Sequence, residues 1–138
     1  MKTTRAVYPS LVLLSLVTSS CATGAAHIPT SSTMEVRRAR EVISGSLLSP
    51  STRIYFVGEI SRVRVDDVRF RNDGLAVLWR KGSSPQTVTA CYYSAVQPRA
   101  EPLPLMLAAV RLCTLSVQFE RFVDAQNFAD ALYTLKTQ

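Results

Sequence analysis

His27 is the only histidine in this 138-residue chain, and only five of its residues are glycine. Catalysis by a histidine-assisted nucleophile needs a base within hydrogen-bond reach of the attacking group, and one histidine in a small, polar N-terminal stretch argues against that class. The clustered His and Cys spacing of a zinc site is missing, and the acidic residues are scattered along the chain. No glycine-rich phosphate loop is present either. These absences predict a non-enzymatic protein with no metal and no cofactor. A membrane-crossing helix is also missing, because about 20 apolar residues are needed to span a bilayer core. The run from Leu11 to Val17 is too short, and Pro9-Ser10 opens it.

What the N-terminus does contain is an address. Lys2 and Arg5 precede the apolar run, and the small residues Thr18-Ser19-Ser20 follow it directly before Cys21. A basic start, a short hydrophobic core and small residues at a cleavage point describe an export signal. This arrangement resembles the signal peptide and lipobox of bacterial lipoproteins. The resemblance implies removal of residues 1–20, lipidation of Cys21 and attachment of the mature chain to a membrane. Ala22 stands where retained members of that class often carry aspartate, which implies an outer-membrane address facing the periplasm. Export excludes nucleic acid as a partner.

Loss of Lys2 and Arg5 with the signal takes the formal charge from +6 to +4, a modest excess. Anionic lipid headgroups, lipopolysaccharide or acidic cell-wall polymers are the partners it suits, although a solvated basic surface needs no partner at all. Three cysteines are odd for an exported chain until Cys21 is assigned to lipid, which leaves Cys91 and Cys113. In an oxidising compartment they form a candidate disulfide. Two separately buried thiols remain the alternative, since both lie in apolar, strand-like runs.

The mature part is the size of one domain, 32–138, preceded by a stretch, 21–31, that is small, polar and without apolar periodicity. It reads as a flexible tether carrying His27. Ser32 and Glu35 form a capping-box pattern, and Val36, Ala39, Ile43 and Leu47 follow at helical spacing, stopped by Ser49-Pro50. Arg37, Arg38 and Arg40 fall off that stripe and lie close enough to the tether to rest against a membrane.

From Arg53 the period becomes two. Val63 and Val65 have one parity and Val68 and Phe70 the other, so a turn or bulge at Asp66-Asp67 must absorb the slip. Asp73-Gly74 predicts a tight hairpin with central residues at positive φ. Strands are expected over Leu75–Trp79 and Val88–Val96, and as a pair within Leu105–Phe119, after an interruption by Pro98, Pro102 and Pro104. A closing helix starts at an Asp124 N-cap, with Val123 stapling onto Phe128, and buries Phe128, Ala131, Leu132 and Leu135. The expected fold is therefore α+β: an N-terminal helix, an antiparallel meander of five to seven strands, and a C-terminal helix packed on the sheet. That layout resembles pleckstrin-homology and GRAM-like domains, a likeness of arrangement with no motif residue behind it.

The candidate binding feature is the basic series Arg62, Arg64, Arg69 and Arg71, which strand parity and a hairpin would place on one solvent face. It suits anionic headgroups or an acidic partner, or else keeps an edge strand soluble. Trp79, Tyr92 and Tyr93, lying among Val and Leu, read as core or cross-strand aromatics. The functional expectation is a lipid-anchored envelope module that binds another envelope protein. The alternative is a lipid- or cell-wall-polymer-binding module of pleckstrin-homology-like type.

Overall fold

The computed structural model describes residues 24–31 and 33–138. The expected export signal, Cys21 and Ser32 lie outside the described residues. Helix α1 (Val36–Leu48) comes first, then seven strands, β1 (Arg53–Phe56), β2 (Arg62–Phe70), β3 (Gly74–Arg80), β4 (Thr87–Tyr92), β5 (Ala100–Pro102), β6 (Ala108–Leu112) and β7 (Leu115–Phe119), and finally helix α2 (Phe122–Lys136). The expected α+β order is present.

All strand pairs are antiparallel, in the spatial order β4-β3-β2-β1-β7-β6-β5. The chain steps outward from the central β1 to the β4 edge, crosses to the opposite edge at β5, and steps back until β7 pairs with β1. Cys91 of β4 and Cys113 of the β6–β7 turn form a disulfide with Cα atoms 5.8 Å apart. These elements are not neighbours in the sheet, so the bridge requires the sheet to curl. Period two puts Val63, Val117 and Val110 on the inner face, and the helices cover that face. Ala39 and Ile43 of α1 and Ala125, Phe128 and Leu132 of α2 are fully buried in the same core. Phe128 packs on Phe119 with ring centroids 5.3 Å apart.

The parity slip in β2 is resolved by a bulge. Val65 pairs with Trp79 and Asp67 with Leu78, leaving Asp66 as the extra residue. Val63, Val65, Val68 and Phe70 all join the core, and β2 runs through as one strand, where the sequence suggested a hairpin. The β2–β3 hairpin is present with a different logic from the expected one. Its two central residues are Asn72 and Asp73, closed by the Arg71 N–H donating to the Gly74 carbonyl at 2.8 Å, and neither has positive φ. Glycine is needed at position 74 because a Cβ there would sit 2.4 Å from the Cys91 carbonyl oxygen. Close approach of β3 to β4, and not left-handed backbone, selects it.

Both helix starts differ from expectation. Glu35 is itself the N-cap residue of α1 and makes no side-chain cap. Helix α2 begins earlier, after Arg121, so Asp124 stands in its first turn, where its carboxylate accepts hydrogen bonds from Arg121 Nε and Nη2 at 3.0 Å and favours the helix dipole. Val123 is exposed and forms no staple, while Phe122 packs on the core. The strand expected over Val88–Val96 ends at Tyr92, followed by a 3-10 turn at Tyr93–Ala95.

The expected tether is corrected as well. His27 exchanges both backbone hydrogen bonds with Ala100 at 2.9 Å, extending the β5 edge. Its imidazole lies 2.8 Å from Asp130 of α2, and the Tyr133 hydroxyl donates to the Thr30 carbonyl at 2.8 Å. Pro29 is buried. Residues 24–31 are part of the domain, and they shield a strand edge that would otherwise expose unpaired backbone groups.

Candidate functional site

The basic series lies along the outer face of β2 and just past its end, with Arg62, Arg64, Arg69 and Arg71 all exposed as expected. What parity alone did not reveal is that each arginine already has a partner. Arg64 and Arg80 converge on Asp66 at 3.5 and 2.7 Å, and Gln86 adds a hydrogen bond at 3.0 Å. The Gln86 and Arg80 hydrogen bonds hold the Asp66 carboxyl below the usual carboxylate range. Arg69 pairs with Asp67 at 3.4 Å and Arg71 with Asp73 at 3.8 Å. Arg62 donates to the carbonyls of Pro50 and Thr52, tying β2 to the α1–β1 connection. The series is a ladder of alternating charge, with far less field than four free cations would create.

The sequence held the signal for this pairing. On a strand, residues i and i+2 share a face, and Asp67-Val68-Arg69 places opposite charges at that spacing, while Arg64 and Asp66 meet at the bulge and Arg71 and Asp73 in the β2–β3 turn, again two residues apart. Asp66 and Asp67, expected to form a turn, are instead the counter-charges of this ladder.

The expected helical arginines divide. Arg37 and Arg38 are exposed, whereas Arg40 is half-buried, with its guanidinium 5.6 Å from the centroid of Phe70. The aromatics fit the core reading in two cases. Trp79 is buried edge-on to Phe56, with its indole N–H donating to the Thr89 hydroxyl at 2.8 Å, and Tyr93 is buried, while Tyr92 is exposed.

A groove of about 700 Å³ lies on the outer face of β1, β7, β6 and β5. Register builds its floor. Tyr55 pairs with Ser116 and Ser116 with Arg111, forming one row across three strands. A second row runs through Gln118, Ala109 and Glu101. The small Ala109 side chain gives the row its depth, and Phe56, Val57 and Leu103 add apolar walls. Glu101 is held by Arg99. Arg111 is exposed and has no hydrogen bond or ion pair among the described residues, so its charge on this surface is uncompensated there.

An open trough with polar groups on its floor and apolar walls fits an extended polypeptide better than a fatty chain, which needs an enclosed apolar cavity. The groove depends on which strands lie side by side, and the β1–β7 pairing joins residues 59 to 65 positions apart. Among the described residues, no group of three or more His, Cys, Asp or Glu is placed to hold a metal ion, and no helix is long and apolar enough to cross a membrane. No family model, curated protein or solved structure matches the chain.

Proposed function

We propose that this chain is a lipoprotein of the cell envelope, anchored through Cys21 to the outer membrane and facing the periplasm. Its domain acts without catalysis, as a module that binds a segment of another envelope protein in the Arg111 groove. The observation that carries the address is the partition of the cysteines. Cys91 and Cys113 join each other, and the third, Cys21, stands at the end of Thr18-Ser19-Ser20 behind a short apolar run with a basic start. A bridged pair suits an oxidising compartment, and a lone cysteine at that position suits acylation.

The protein-binding reading is supported by the filled core and by a groove with one uncommitted cation among hydrogen-bonding side chains. A second reading, a lipid- or cell-wall-polymer-binding module, is favoured by the pleckstrin-homology-like layout. It ranks lower because three of the four arginines it would use carry their own counter-charges and the fourth, Arg62, is tied to backbone carbonyls.

A photo-crosslinking amino acid placed at Ser116 in the native envelope, followed by mass spectrometry, tests the assignment. A protein adduct that Arg111→Glu abolishes is the expected result. Adducts with lipid or polysaccharide alone would favour the second reading. Labelling no stronger than from a probe at Val88, on the far sheet edge, would overturn the groove as a binding site.

A further inference from the structure

The β5–β6 connection contains the least economical conformation in the domain. Leu105 and Met106, within the single turn Pro104–Met106, have φ of 63° and 66°. Residues with a Cβ avoid this left-handed region, and two in succession are rarer still. Their side chains are not turned inward in compensation: Leu105 is 89% and Met106 87% exposed. Strain that presents two large apolar groups to water contributes nothing to the core, and a strained surface segment points to a role at that surface.

The path of the N-terminal segment indicates what covers this turn. Because His27 and Ala100 form an antiparallel bridge, each step back toward the N-terminus is a step along β5 toward the turn. Gly24 accordingly lies against Pro102, where a Cβ on the glycine would be 3.1 Å from the proline Cβ. Three Cα–Cα steps separate Gly24 from Cys21, which keeps the Cys21 Cα within about 11 Å of that of Gly24. Acyl chains on Cys21 would therefore start close to the end of β5 that carries Leu105 and Met106.

We infer that the Leu105–Met106 turn enters the interfacial zone of the phospholipid bilayer beside the lipid anchor. The domain then rests on the membrane through two contacts, one covalent and one apolar, instead of hanging from a long tether. This rests on the proposed acylation of Cys21. The contact is hydrophobic in character, since Arg99 and Glu101 near the turn neutralise each other, and it takes zwitterionic lipid as readily as anionic lipid. It also fixes orientation. The Phe56↔Leu115 and Ala108↔Phe119 pairs put the β1–β2 loop, with Ile60 96% exposed, at the opposite end of this part of the sheet from the β5–β6 turn.

The test uses the acylated protein in phosphatidylcholine vesicles, with an environment-sensitive fluorophore attached through Met106→Cys and, separately, through Ile60→Cys, the native disulfide being kept oxidised. The label at 106 should shift to the blue and be quenched by doxyl-labelled lipid, unchanged by added salt, while the label at 60 reports water. Leu105→Cys serves as a second reporter should the 106 variant fold poorly. Protein that floats with the vesicles while the 105 and 106 labels report water would overturn the inference and leave the anchor standing. A blue shift already complete before vesicles are added would assign the turn to a second copy of the chain and also overturn it. Protein without acyl groups that stays in solution would remove the anchor, and the inference with it.

Discussion

Reducing the Cys91–Cys113 bridge should lower the stability of the domain by about 3 kcal/mol. The two cysteines are 22 residues apart, and the loss of closure entropy from an unfolded chain cross-linked over that distance amounts to about 3.4 kcal/mol on the loop-entropy estimate. Reduction removes no side-chain atom, so no cavity term adds to this figure. For a domain of this size, such a loss corresponds to a fall in Tm of about 10–15 °C. The assay is thermal unfolding followed by circular dichroism, with and without reductant, on samples whose redox state is set by intact mass after alkylation. Equal midpoints for protein shown to be oxidised and reduced would refute the reasoning. So would two alkylated positions, 91 and 113, in native protein that has never met a reductant.

Three further outcomes follow from particular contacts. Gly74→Ala forces a Cβ to within 2.4 Å of the Cys91 carbonyl oxygen and should cost more than about 2 kcal/mol in urea unfolding; a neutral result would mean that β3 and β4 are not so closely apposed. Tyr93→Phe should stabilise by about 1 kcal/mol, because the buried Tyr93 hydroxyl has no hydrogen-bond partner among the described residues and its removal recovers a desolvation cost; a clear loss in denaturant midpoint would reveal a partner for that group. Asp66→Asn should be less stable than the parent above about pH 4, with the gap narrowing on acidification. The folded-state pKa of Asp66 lies below its ordinary 3.8, so its contribution is full above that value and disappears as pH falls through the lower, folded one. Parallel melting curves for parent and variant at every pH would contradict this.

The sequence made local periodicity legible and left contacts between distant segments hidden. The apolar face of α2, the strand pair β6–β7 and the slip in β2 were all visible, because a helical stripe or an alternation of two records directly which side chains point inward. Strand β5 was hidden by Pro98, Pro102 and Pro104. An edge strand tolerates proline because only one of its sides must supply ladder hydrogen bonds, and β5 is three residues long. Residues 24–31 gave no pattern because they are held by a backbone bridge to Ala100 and side-chain bonds to α2, which leave no trace in hydropathy. The arginine ladder could have been read, since its counter-charges sit two residues away. Arg111 could not, because its groove exists only once β1 and β7 are side by side.

The most direct test is the intact mass and N-terminal sequence of the protein extracted from the membranes of cells that make it. The chain should begin at Cys21 and be heavier than its amino acids by the mass of fatty acyl groups, and a Cys21→Ala variant should be found in the soluble fraction without that added mass. A native chain that begins at Met1 and carries no acyl group would contradict this.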